Sequence, residues 1–174
     1  ASPSGLDDER QAFRLEMESF NRRDAIHRGA TFQPIGWELT LGGLGRPQSL
    51  INKDLETCDY FVLVLWNRWG AYPGKSGKSE YSSGTEEEYE LAMRLASGAN
   101  AKLKQVVVLF HELDPNVPVS PDIEKVLAFK EKLKAEKRLL FHTYQNIDEF
   151  EDILRSHLAS WVRPHEFAIN HEYQ

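Results

Sequence analysis

The chain has 174 residues, 41% of them hydrophobic, which suits a single domain with a sizeable core. Its 21 Lys and Arg against 27 Asp and Glu leave a net charge of −6, which argues against nonspecific DNA binding through the phosphate backbone. The lone Cys58 excludes an internal disulfide and a cysteine-rich zinc site, the six histidines have no paired metal-ligand spacing, and no run approaches the ~20 apolar residues of a membrane span. The expectation is a soluble, cytoplasmic chain with no membrane contact, no metal and no direct nucleic-acid binding.

Ser4 and Asp7 form a capping box, after which Leu6, Phe13, Met17 and Phe20 line one face of a helix running to about Arg28. Residues 31–37 read as a short strand. Gly42, Gly43 and Gly45 mark a loop that ends where Pro47 occupies the first turn of a helix through about Thr57, with Leu50, Ile51 and Leu55 as its apolar stripe. Residues 60–65 and 106–110 are unbroken apolar runs rich in β-branched side chains, the pattern of strands covered on both faces. Their alternation with helices predicts a parallel sheet with right-handed crossovers. After a proline-containing loop at 114–121, residues 123–137 read as a helix, 138–142 as a strand and 147–161 as a closing helix. The domain is expected over 1–163, with 164–174 as a tail or linker.

Residues 66–83 form a long segment rich in Gly, Ser and Lys that leaves the carboxyl end of a strand, a position typical of lids. Lys75 and Lys78 sit in two Gly-Lys-Ser triplets, but neither triplet has a glycine five positions before its own, so the nucleotide-triphosphatase motif is absent. Both lysines read as solvated charges, with phosphate contact as the alternative. Trp37, Trp66 and Trp69 admit packing at strand ends or stacking on a planar base.

The run from Ser83 to Ala92 carries three consecutive glutamates. Leu91, Ala92 and Leu95 follow Glu88 by three, four and seven positions, which puts Glu88 on the apolar face. Glu87, Glu90 and Arg94 fall on the opposite, solvated arc, where Glu90 can pair with Arg94. Two readings of Glu88 stand. It closes a capping box with Thr85, or Ser83 and Glu86 form that box and leave Glu88 available for chemistry.

Ala1-Ser2-Pro3-Ser4, the acidic run at 7–10, Gly45-Arg46-Pro47-Gln48, Cys58-Asp59, the Leu65 to Gly70 run and Ser83-Gly84-Thr85-Glu86-Glu87-Glu88 occur in the order seen in a domain of unassigned function. The chain to about Trp161 resembles that domain, which often lies N-terminal to signalling NTPases of the STAND or NACHT type. Gly84-Thr85-x-x-Glu88 followed by Ala92 is also similar to the nucleophile motif of nucleoside 2-deoxyribosyltransferases, and the overall plan resembles Toll/interleukin-1 receptor (TIR) domains. These resemblances imply a flavodoxin-like, TIR-like three-layer α/β sandwich around a central parallel sheet. They also imply a first hydrophobic strand, mid-sheet, that is missing or truncated before Ala1.

They further imply a glutamate acting at the anomeric carbon of a nucleoside or of NAD, where a carboxylate stabilises or traps the oxocarbenium charge. Glu88 takes that role. Ser2, Asp7 and Thr85, with Gly84 of the motif, would bind ribose or phosphate, and Trp37, Trp66 and Trp69 would surround the base. NAD or NADP is then a substrate and no cofactor is required. The domain would be the effector arm of a defence or signalling protein, fused to or partnered with a signalling NTPase and capable of self-association. The rival is a noncatalytic interaction module. A third reading, deoxyribosyl transfer, is weakened because Ser82-Ser83 stands where those enzymes commonly have an aspartate before Gly-Thr.

Overall fold

The computed structural model describes residues 1–36, 46–75, 80–99 and 101–165. In chain order the elements are α1 (Asp7–Phe20), α2 (Pro47–Leu55), β1 (Tyr60–Leu65), α3 (Gly84–Leu95), β2 (Gln105–His111), α4 (Pro121–Glu136), β3 (Phe141–Tyr144) and α5 (Ile147–Val162). The fold is α/β and of the flavodoxin-like kind, with a three-stranded parallel sheet in the order β1-β2-β3. β1 and β2 run in register from Tyr60 opposite Gln105 to Leu65 opposite Phe110.

Alternate side chains of a strand point to opposite faces, and here both faces are covered. Phe61, Leu63, Leu65, Val106, Val108 and Phe110 are buried on one face, and Val64, Val107 and Leu109 on the other. β2 is the middle strand, as its apolar run predicts. β1 ends the described strand order, and Ala1 meets its outer edge, donating to the Val62 carbonyl at 2.6 Å and accepting from the Val64 N–H at 3.0 Å.

The residues group into two compact units. In the unit formed by Ala1–Leu6 and Ile35–Thr143, α2, α3 and α4 contribute Leu55, Tyr89, Leu91, Ala92, Val126, Phe129 and Leu133 to a core with β1 and β2. Phe129 is its hub, 4.9 Å from the Tyr89 ring, 5.3 Å from Trp69 and 6.3 Å from Phe110 between centroids. Ser120 caps α4 by accepting from the Ile123 N–H, and the helix stops where Lys137 turns left-handed at φ 51°. That turn delays β3, predicted at 138–142, to Phe141–Tyr144, and leaves Leu140 exposed.

In the unit formed by Asp7–Pro34 and Tyr144–Gln174, α1 packs on α5, whose Phe150, Leu154, Leu158 and Trp161 form the apolar stripe. The acids buried in α1 are paired: Glu16 accepts two bonds from Arg155 at 2.9 Å, and Glu9 accepts from the Tyr144 hydroxyl at 3.0 Å. After α1 the helix widens over Asn21–Ala25, where the Ile26 N–H reaches back five residues to the Asn21 carbonyl. Helical turns continue to Arg28, as predicted, and Gly29 ends them at φ 67°.

The strand predicted at 31–37 is not formed over 31–36, and Trp37 lies outside the described residues. The Asn21 side chain supplies what a neighbouring strand would have supplied: its amide donates to the Phe32 carbonyl at 2.7 Å, and its oxygen accepts from the Phe32 N–H at 2.8 Å. The Phe32 ring packs between Phe20 and Trp161. Asn21→Ala should therefore lower stability by about 1–3 kcal/mol, the cost of leaving partly buried main-chain groups unpaired. Urea unfolding followed by circular dichroism measures this, and Asn21→Asp, which keeps only the acceptor, should fall between Ala and wild type.

Candidate functional site

The first turn of α3 assigns a different partner to each of its glutamates. Ser83 is the N-cap, its hydroxyl accepting from the Glu86 N–H at 3.1 Å. Glu86 turns back to accept from both the N–H and the hydroxyl of Ser82 at 2.7 Å. Of the two capping boxes open to the sequence, the Ser83–Glu86 pairing supplies the cap, with the Glu86 carboxylate returning to Ser82 in place of the Ser83 N–H, and Glu88 takes no part in it.

Glu87 overturns its expected place on the solvated arc: it is 2% exposed. Arg46, immediately before α2, grips both of its carboxylate oxygens, with Nη1 to Oε2 at 2.8 Å and Nη2 to Oε1. Asn52 adds a bond to Oε1 at 2.7 Å. The bond from the Arg46 guanidinium holds Glu87 below the usual carboxylate range; burial opposes this and Asn52 assists. The helical wheel put Glu87 opposite the apolar face of α3 and took no account of α2, which packs against α3 and buries it. Glu90, likewise, pairs with Lys132 of α4 at 3.3 Å and not with Arg94, which donates to the Tyr81 hydroxyl.

Glu88 is half-buried, and Gln48 of α2 donates to its Oε1 at 2.9 Å. Among the described residues that is its only hydrogen bond. Gln48 reaches it across Gly84, where an added Cβ would lie 2.4 Å from the Gln48 side-chain oxygen. The same amide touches Asn52 at 3.3 Å, so Arg46, Asn52 and Gln48 brace Glu87 and Glu88 together. Arg46 also donates to the carbonyls of Pro73 and Gly74 at 3.0 and 3.2 Å, and Gly84 donates to the Ala71 carbonyl at 2.9 Å. The described part of the predicted lid is thereby tied to the helix start.

Residues 1–159 match a family described as "Domain of unknown function (DUF4062)". The chain belongs to this family. No curated protein and no solved structure matches it. In this DUF4062 domain, no helix among the described residues is long and apolar enough to cross a membrane. No three His, Cys, Asp or Glu side chains among the described residues gather as a metal site.

Gly84 and Thr85 adjoin Glu88 in α3, but Thr85 is buried against Gly70, whose φ of 103° and missing side chain leave room for the threonine hydroxyl. Thr85 is a packing residue in this structure and does not face solvent. Trp69 is also corrected to the core: its ring packs on Phe129, and its indole N–H donates to Ser82 at 2.7 Å. Trp66 is half-buried, edge-on to His111 at 4.8 Å. Ser2 is half-buried, Lys75 is exposed, and Asp7, in the first turn of α1, is exposed and paired with Arg10 at 2.6 Å. Trp37 and Lys78 lie outside the described residues.

Arg46, Gln48, Asn52 and Glu87 were missed as site residues. The signal was present, because Gln48, Asn52 and Leu55 share one face by the same spacing that placed Glu88. Arg46→Met should destabilise the fold by about 3–5 kcal/mol by stranding a buried carboxylate, and adding Glu87→Gln should recover most of that loss. Glu87 is depressed in the folded state, so its contribution is complete above the ordinary value of 4.5 and fades as pH falls toward the folded value. Glu87→Gln should accordingly flatten the stability profile below that pH, as read by denaturant melts across acid pH.

Proposed function

We propose that this domain cleaves the N-glycosidic bond of NAD or a related nucleotide, with Glu88 as the carboxylate at the anomeric carbon. The observation that carries the reading is the division of partners among three successive glutamates. Glu86 is occupied by the cap and Glu87 by Arg46, while Glu88 is half-exposed and held by one neutral amide. A carboxylate oriented in this way, and not neutralised by a cation, is what a developing oxocarbenium ion requires. The resemblance of Gly84-Thr85-x-x-Glu88 to glycosyl-transferring enzymes points to the same chemistry.

In this mechanism the nicotinamide leaves with the bonding electron pair, positive charge builds on the ribose, and Glu88 stabilises or traps that charge until water or another acceptor arrives. NAD or NADP is the substrate and no further cofactor enters. Trp66 remains a candidate to cover the base. The domain acts as the effector arm of a cytoplasmic defence or signalling protein, fused to or partnered with a signalling NTPase. The rival reading, an interaction module, is favoured by exposed apolar side chains such as Leu140, 88% exposed, and Val119, 61% exposed.

Incubation of the purified protein with NAD, NADP and deoxynucleosides, with base release followed by chromatography, separates these readings. Release is expected from a dinucleotide. Glu88→Gln should reduce it by about a thousandfold or more with little change in thermal stability, and turnover surviving that change would refute the assignment. Gly84→Ala, which drives Gln48 off Glu88, should lower kcat by about ten- to a hundredfold.

A further inference from the structure

A cavity of about 190 Å³ opens at the carboxyl ends of β1 and β2, on residues the glutamate site does not use, Trp66 excepted. Open parallel sheets leave their ligand crevices at that end of the strands. Phe110, Leu113 and Val126 line its apolar part, Trp66 and His111 form an aromatic wall, Leu127 and Lys130 come from α4, and Glu112 adds one carboxylate to the rim. The edge-on packing of Trp66 against His111 holds the indole in one orientation. An apolar cavity of about 150 Å³ admits benzene, so this volume suits one six-membered ring with a small substituent.

Lys130 sets the polarity of that substituent. Its neighbours on α4 are ion-paired, Lys132 to Glu90 at 3.3 Å and Lys134 to Glu131 at 2.6 Å. Among the described residues Lys130 makes no such pair. Its ammonium lies over the Phe110 and Phe141 rings, 5.2 and 5.8 Å from their centroids. Burial pushes that ammonium down from its ordinary value, with the charge of Lys134 adding and those of Glu112 and Glu131 opposing. A cation held on aromatic faces at the wall of a cavity gains by meeting an anion there. One ammonium matches one carboxylate, whereas Glu112 on the same lining would repel the second charge of a phosphate dianion.

We propose that this cavity binds a small aromatic carboxylate, its ring against Trp66 and its carboxylate on Lys130. The test is calorimetric or saturation-transfer titration of the whole protein with benzoate, benzamide and cyclohexanecarboxylate. Benzoate should bind with a Kd of roughly a millimolar, as a single ring allows, and the other two at least about fivefold more weakly. Lys130→Met and Lys130→Gln should each weaken benzoate about tenfold and leave benzamide unchanged, while Trp66→Leu weakens both. Glu88→Gln should bind benzoate as the wild type does, which separates this site from the glutamate site. The proposal is overturned if benzoate does not bind at about 20 mM, or if cyclohexanecarboxylate binds as tightly. It is equally overturned if both Lys130 variants, folded by circular dichroism, keep the wild-type affinity for benzoate.

Discussion

Arg46 and Glu87 are taken largely out of water, and neither would be tolerated there without the other. Stripping an ionised carboxylate of its hydration costs several kcal/mol, so Glu87 can be buried only because a guanidinium fork and the Asn52 amide replace the lost water. That requirement fixes more than one pair of side chains. It sets α2 beside the first turn of α3, and the guanidinium, having satisfied the carboxylate, still has donor capacity for the Pro73 and Gly74 carbonyls. The long connection after β1 is thus held by the same cation that neutralises α3.

Once α2 is in place, Gln48 and Asn52 stand one helical turn apart on its buried side, with one glutamate within reach of each. The neutral amide goes to Glu88 and the cation to Glu87. Exchanging those assignments would bury Glu87 without a compensating cation, so two adjacent glutamates of one helix turn are set apart by their partners alone. Gly84 is part of the arrangement because the Gln48 amide occupies the space where a side chain at that position would be.

The sheet was legible in the sequence because residues 60–65 and 106–110 are apolar without alternation, a pattern that serves few structures other than a covered parallel strand. The cap of α3 was legible down to its two competing boxes. What escaped were features created by neighbours distant in sequence. Nothing local in 31–36 says that Asn21 will satisfy Phe32 in place of a strand, and nothing in α3 alone says that Arg46 will bury Glu87. A helical wheel ranks positions against a single core, and it fails on the flank where a second helix brings its own polar groups. Trp69 was ambiguous for a related reason: an indole at a strand end looks the same in sequence whether its N–H meets a ligand or Ser82.

The three glutamates also bear on how a charged molecule would approach. A run of three acids at one helix terminus suggests a strongly negative surface that would repel a diphosphate. Arg46 cancels one of those charges, and the partial positive charge at the amino end of α3, roughly half an elementary unit, offsets part of another. The negative charge at the first turn is therefore about half of what the sequence implies. Any anion approaching that turn would still be repelled, by roughly half as much as three free carboxylates would repel it, and its association would quicken as added salt screens the remainder.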